Sequence, residues 1–348
     1  MSRPMHAASD YHDIPFLQNV VLTDLINNLP VQGALMGNQL IPDQNVPTRI
    51  VEWEATYGGR NIAPIVAMDA ASPLVKRPGI DRHRTEAVDI RQKSYLDEGT
   101  ILFLRQPGTR EQSAGRTQVT RDLARMRADT ESRMEKMRFD AMLSGSINET
   151  LTVDGETLVY FHDFKIPAAQ RWNANVLWTV TSSSDPRIEF RRAKKQEREA
   201  TGRRITQAWM NTNTHELMDR SEILRSEFRS VSTNNGDVVK DQFATDVVAN
   251  VRVVDYDEGY KEDVNWGGTF KYYLPDNKVI FAVGANDGGE PFADFAIAPS
   301  ALADGSVVDR FFAETWTQPD PTREYLRAGI VGIPRIFHPD WIITATVG

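Results

Sequence analysis

Residues 116–145 read RTQVTRDLARMRADTESRMEKMRFDAMLSG, and this stretch decides how the chain is read. Val119, Leu123, Met126, Thr130, Met134, Met137 and Ala141 follow one another at steps of three or four, which places them on one helical face. Seven bases and five acids fill the remaining turns. Asp122 with Arg125, Asp129 with Arg133 and Glu135 with Arg138 stand at helical spacing for opposite-charge pairs. Neither Pro nor Gly interrupts the run, and Gly145 supplies a left-handed stop after Leu143. Such a helix, starting near Gly115, spans roughly 40 Å. A slim apolar stripe on so long a rod predicts a beam laid across a sheet, not a helix sunk in a core.

Upstream, Thr109-x-x-Gln112 forms a possible capping box after the Pro107-Gly108 turn. Val51, Trp53, Ala55 and Tyr57 alternate with Glu52, Glu54 and Thr56, the period of a half-buried strand. Ile62–Met68 and Ala87–Tyr95 are read as two further strands. Between them, 70–86 carries Lys76, Arg77, Arg82 and Arg84 among Pro73, Pro78 and Gly79, as at the tip of a protruding hairpin. A hairpin this long cannot bury its own faces, so a neighbouring surface is implied. Residues 1–48 read as an arm with one helix within 10–28, its apolar face being Phe16, Leu17, Val20, Val21, Leu25 and Ile26.

Downstream, Asp154-Gly155 between two alternating runs is the strongest hairpin signal in the chain. Asp185-Pro186 opens a second helix that Gly202 closes, and Arg191, Arg192, Lys194 and Lys195 make it a candidate basic face. A third helix is expected over 215–229, with Leu217, Ile223, Leu224 and Phe228 inward. Short strands follow to the end of the chain, and Lys278–Val283 is the most continuously apolar of them.

Composition narrows the function classes. The chain has 348 residues, of which 41% are hydrophobic, and its net charge is -8. That length suggests about two domains with a core in each. No apolar run approaches the roughly 18 residues of a membrane span, and acids and prolines near the N-terminus do not make a secretory signal. With no cysteine, neither disulfides nor thiolate chemistry arise. An acidic total argues against tight DNA binding by phosphate neutralisation, although 185–204 carries eight bases against four acids. Phosphate loops, dinucleotide fingerprints and nucleophile elbows are missing. The six histidines are scattered without helical pairing, so no metal or other cofactor is expected. The acids Asp255, Asp257, Glu258, Glu262 and Asp263 lack the Gly and Glu of a calcium loop and read as a solvated turn.

The order of parts, together with LDEGTILFLRQPG (96–108), ESRMEKMRFDAMLSG (131–145), DPRIEFRRAKK (185–195) and 311–347, resembles the tailed-phage major capsid proteins of the phage lambda head family. The resemblance implies an α+β fold of the Hong Kong 97 type. Residues 1–48 would be the N-terminal arm and 49–103 the extended loop. Residues 104–180 would form the peripheral domain with the spine helix, 181–308 the axial domain, and 309–348 a return to the peripheral domain. Val119, Leu123, Met126, Met134 and Met137 would pack the spine on its sheet, leaving its charged face free to turn as the shell expands. Lys76, Arg77, Arg82 and Arg84 would meet acids on an adjacent subunit, and Arg191, Arg192, Lys194 and Lys195 would face the interior or the DNA. The implied product is an icosahedral shell of hexamers and pentamers, assembled in the host cytoplasm and present in the virion. Implied partners are a separate scaffold, a portal, a decoration protein and weakly held double-stranded DNA. An encapsulin-like compartment shell and an α/β enzyme are the alternatives.

Overall fold

A computed structural model describes residues 14–348, apart from 31–34, 60–61, 70, 75–78, 154–155, 227–246, 262–267, 284–290, 303–304, 306 and 320–321. The order begins with helix α1 (Asn19–Asn28) and strands β1 (Asp43–Asn45), β2 (Ile50–Tyr57), β3 (Gly79–Glu86) and β4 (Val88–Leu96). Helices α2 (Glu98–Leu104) and α3 (Arg110–Leu143) lead to the hairpin β5 (Ser146–Val153) and β6 (Glu156–Asp163). Strand β7 (Arg171–Asn173), helix α4 (Pro186–Thr201), strand β8 (Ile205–Met210) and helix α5 (Thr212–Asp219) come next. Strands β9 (Val247–Val248), β10 (Val251–Asp255), β11 (Gly259–Lys261), β12 (Phe270–Tyr272) and β13 (Lys278–Val283) follow. The chain closes with β14 (Ala293–Ala298), β15 (Ser300–Ala301), β16 (Val307–Val308), β17 (Phe312–Pro319), β18 (Thr322–Ile336) and β19 (Ile342–Thr346).

Two sheets organise these elements. In the first, the fifteen-residue β18 pairs with β4 along one edge and with β17 and then β14 along the other, and β1 runs parallel to β14. The second runs β7-β19-β13-β8-β10-β9. The segment expected to return wholly to the first sheet therefore divides, because β19 inserts between β7 and β13 of the second. Conversely, β14 lies inside the stretch expected to form the second domain and pairs in the first sheet. Strand β4 also belongs to the first sheet, so the protruding hairpin is β2–β3 alone and does not extend to Phe103.

Helix α3 is longer than its sequence stripe, at about 50 Å for 34 residues. Thr109 caps its start by accepting from the Gln112 amide at 3.2 Å, while the Gln112 side chain accepts from Gly108. Gly145, at φ 66, ends it in the left-handed region. All five expected packing residues, Val119, Leu123, Met126, Met134 and Met137, are buried. The first half of the helix packs with α1 and α2 over Leu326 and Ala328 of β18. Its second half is not a beam on a sheet, because Glu131, Glu135, Arg138, Phe139 and Met142 are buried as well and Phe139 stacks on Tyr256. That half is sunk in the core joining the two sheets.

Three other expectations are corrected. In α1 the buried face is Asn19, Leu22, Thr23 and Ile26, whereas Val20 and Val21 are exposed. Polar side chains turn inward because they satisfy the outer edge of β17: Thr23 donates to the Ala313 carbonyl and accepts from its amide, and Asn19 accepts from the Thr315 amide. The third helix is broken. Asn211 caps α5 four residues before His215, and the Ser221 hydroxyl accepts from Leu224 to start a new turn over 222–226. Phe228 lies outside the described residues. No strand forms over 62–68, where Pro64 interrupts the backbone donors and no partner strand lies alongside.

Candidate functional site

The β2–β3 hairpin carries the features that no internal core explains. Its buried face is Val51, Trp53 and Ala55. The Trp53 indole donates to the Ile336 carbonyl at 3.0 Å, and the Thr56 amide donates to Phe337, tying the hairpin to the end of β18. Trp53 also stacks on His83 across the pair, at 5.1 Å between ring centroids, and His162 of β6 closes on both rings at 5.4 and 5.6 Å. Burial holds both imidazoles below their ordinary pKa, and neither Nε2 has a hydrogen-bond partner.

The opposite face is charged and satisfied within the chain. Register places Arg84 opposite Glu52 and Arg82 opposite Glu54, and the pairs close at 3.1 and 2.9 Å. These two arginines, expected to seek acids on an adjacent subunit, have partners on their own hairpin because cross-strand neighbours are the nearest opposite charges. Lys76 and Arg77 lie outside the described residues. Beyond the strands, the described part of 62–74 presents Ile62, Ile65, Met68 and Leu74 at nearly full exposure, from 97% to 103%. The sequence signal for this unpartnered strap is an apolar run with a proline inside it, which reads as a strand when taken alone.

At the hairpin root three segments converge. The Gly58 amide donates to Asp340 Oδ2 at 3.1 Å, and the bond is possible because φ at Gly58 is 132°, a conformation that favours glycine. Gly59 lies against the last turn of α4, where an added Cβ would sit 2.5 Å from the Ala200 carbonyl oxygen. Glu197 on α4 is fully buried, and its Oε1 accepts from the Thr201 hydroxyl at 2.6 Å. Burial, with the nearby Asp340 charge, pushes the Glu197 carboxyl up to about 7, and burial raises Asp340 too.

Asp185 caps α4 through the Arg187 amide, and Gly202, at φ 76, closes it. Its basic residues do not form one free face. Arg192 donates to the Asn173 carbonyl and lies over Trp172, and Lys194 donates to Ala249. Arg191 and Lys195 are exposed one turn apart, and Lys195 sits 3.8 Å from Glu199. On the spine, Arg127 donates to the Ile26, Asn27 and Leu29 carbonyls at the end of α1 and pairs with Glu131 at 2.7 Å. Arg133 pairs with Glu149, and Lys136 bridges Asp140 and Glu149. The charged face expected to be free to turn is thus largely engaged. Among the described residues no group of three or more acids and histidines is arranged to hold a metal ion. Asp255 and Asp257 serve instead as acceptors for His215 and for the Thr212 amide.

Comparison with known proteins places this architecture. The profile of the family described as phage major capsid protein E matches residues 19–347. A crystal structure assigned as the capsid protein of an Escherichia coli CFT073 prophage aligns with a TM-score of 0.62 at 14% identity, over 98% of this chain and all of that one. A phage-related protein of Bordetella bronchiseptica RB50 aligns at 0.54 and 10% identity, covering 95% of this chain and 97% of its own. The capsid subunit of cyanophage A-1(L) aligns at 0.52 and 12% identity, over 92% of this chain and 94% of that chain. The comparison with curated proteins gives no match. At these identities the structural likeness shows the fold, and the profile match, spanning both sheets and the spine, shows the family. The chain belongs to the phage major capsid protein E family: it is a shell-forming capsid protein of the virion with the Hong Kong 97-type fold.

Proposed function

We propose that copies of this chain assemble in the host cytoplasm, as hexamers and pentamers, into the icosahedral head of a tailed phage. The β2–β3 hairpin is the extended arm by which each subunit grips the next. The observation that carries this reading is the exposed apolar strap. Ile62, Ile65, Met68 and Leu74 are bare in the single chain. Burying each side chain fully is worth about 1.5 to 3 kcal/mol, so covering the four yields on the order of 10 kcal/mol before ordering costs. Apolar burial, with Lys76 and Arg77 as additional contacts, replaces the four-residue electrostatic tip as the source of grip.

In this reading α3 and the first sheet are the peripheral domain, and the second sheet is the axial domain at the capsomer axes. Arg191 and Lys195 are the exposed members of the basic group proposed to meet the interior DNA, weakly given the acidic total. A separate scaffold, a portal and a decoration protein complete the head. The test is electron microscopy of the chain expressed with and without its neighbouring head genes. Uniform closed shells that require a non-fused partner support the reading, and a monodisperse monomer under every combination refutes it.

A further inference from the structure

The first sheet has one covered edge and one open edge. Along β17 the side chains of Asn19 and Thr23 on α1 take up backbone groups. Strand β4 pairs with β18 on one side, and among the described residues no backbone hydrogen bond leaves 88–94 on the other. The neighbouring hairpin stops short of it, its last such bond running from the Ala87 amide to the Arg49 carbonyl at 2.9 Å. An open edge of this length is a template for an added strand.

The flanking side chains set the chemistry of that strand. Leu326 and Ala328 pack in the core with α3, so their register partners Ser94 and Gln92 share that face, and Arg91, Lys93 and Tyr95 take the other. All three are exposed, Tyr95 at 62%. Across the sheet Tyr95 is followed by Tyr325 and Trp316, and Lys93 by Arg327 and Glu314. Tyr325 and Trp316 stack at 5.5 Å, Lys93 lies over Tyr325 at 5.7 Å, and Arg327 lies over Trp316 at 5.3 Å. With ring faces taken in this way, the row presents cations and hydrogen-bearing ring edges, both electropositive. The two acids on this face are already engaged: Glu314 is fully buried and pairs with Arg327, and Asp89 is held by Arg49 at 2.7 Å. Arg91 and Lys93 remain as exposed positive charge on a chain whose total is -8.

Past Tyr95 the edge meets a groove of about 780 Å³ between the end of β4, α2 and α3. Phe103, 42% exposed, and the short Ala114 are among its walls and suit an apolar side chain. Its acids are engaged locally, Asp97 by the Thr100 hydroxyl at 2.5 Å and Asp122 by Gln118 at 3.3 Å.

We infer that the β4 edge docks an extended acidic segment of a second, different protein. Its backbone adds to 88–94, alternate carboxylates meet Arg91 and Lys93, and an apolar side chain beyond them enters the Phe103 groove. Side chains two apart on an added strand stand about 7 Å apart on one face, the repeat of Arg91 and Lys93 themselves. A second copy paired edge to edge would set these cations against their own counterparts, which like charge disfavours. A DNA duplex would leave the groove empty and find two exposed cations, too few for tight phosphate binding. The inference stands apart from the reading of the β2–β3 hairpin as the intersubunit arm.

The test uses the unassembled full-length chain and a blocked synthetic peptide of alternating Glu and Val that ends in Leu-Phe. Saturable binding by fluorescence anisotropy is expected, weakening as salt rises. Amide exchange should slow at 89–94 and stay unchanged at 278–283. Arg91→Glu combined with Lys93→Glu should weaken binding about tenfold, the scale for turning two exposed attractions into repulsions. Ala114→Trp, which fills the groove, should weaken it as well, and Arg252→Glu on the second sheet should leave it unchanged. Should the double reversal fail to fold, Arg91→Gln with Lys93→Gln takes its place. Absence of saturable binding, equal binding of the peptide with Gln in place of Glu, binding that survives loss of both cations, or protection away from β4 each overturns the inference. So does a DNA duplex that binds this edge in preference to the peptide, or a parental dimer that the double substitution dissociates.

Discussion

The Tyr256 hydroxyl donates to Glu135 Oε1 at 2.5 Å, joining the spine helix to the chain that leaves the second sheet at β10. Glu135 is fully buried and also accepts from the Gly37 amide at 2.7 Å and from Arg138 at 3.1 Å, while Arg138 reaches Asp43 of β1. One carboxylate thus fixes the arm, the spine and the second sheet at a single point. Burial, with the Glu135 charge beside it, raises the Tyr256 phenol far above its usual range, so the hydroxyl stays a donor throughout the physiological range.

Removing this carboxylate leaves Arg138 buried with only Asp43 as an acidic partner. Glu135→Ala is expected to cost about 3 to 5 kcal/mol, the scale for breaking a buried pair, and Tyr256→Phe about 1.5 to 3 kcal/mol, the scale for a hydrogen bond to a charged group. Denaturant midpoints of the unassembled chain check both. The double variant should cost clearly less than the sum, because the two groups share one interaction.

Arg127 supplies three hydrogen bonds to the carbonyls that end α1. Arg127→Ala is therefore expected to free α1 from β17 without unfolding the second sheet. Amide exchange should rise at least tenfold in 19–28 and stay within a factor of about three in 278–283.

The histidine pair gives a pH dependence of definite sign. His83 and His162 are both held below the ordinary value of 6.5, chiefly by burial, so the unfolded chain binds protons more readily than the folded one. Their contribution is complete above about pH 6.5 and is lost as pH falls through the lowered folded values. Lys165 reinforces the effect on His83, and Asp81 and Asp163 oppose it. Stability measured from pH 7.5 down to pH 5 should fall less in His83→Phe, whose ring cannot charge, than in the parent.

Reversing Arg82 and Arg84 to Glu tests whether these two arginines hold an adjacent subunit. Both arginines are mostly exposed and paired with Glu54 and Glu52 on the same hairpin. Exposed pairs are worth about 0 to 1 kcal/mol, so assembly yield at moderate salt should change less than twofold.

Much of the architecture was legible because it rests on local chemistry. Thr109 with Gln112, Asp185 with Pro186, and the left-handed glycines Gly145 and Gly202 mark helix ends through bonds that close within a few residues. The stripe from Val119 to Ala141 marks a face that any partner must cover. What could not be read depends on chain segments far apart in sequence. Glu135 looked like surface charge because its partners, Gly37 and Tyr256, lie about a hundred residues away on either side. Asn19 and Thr23 turned inward because a strand edge 290 residues later needed side-chain partners. The meeting of Gly58 with Asp340 and of Gly59 with the end of α4 has no sequence signal at all, and the apolar strap from Ile62 reads as a strand because an apolar run does not distinguish a strand from a segment awaiting a neighbour.

The central claim is that the exposed strap of one subunit is buried by the next. A density map of the assembled shell at side-chain resolution measures this directly: Ile62, Ile65 and Met68 should lie against a second copy of the chain, out of contact with solvent. A shell in which these three side chains remain solvent-exposed, as they are in the single chain, would contradict the account.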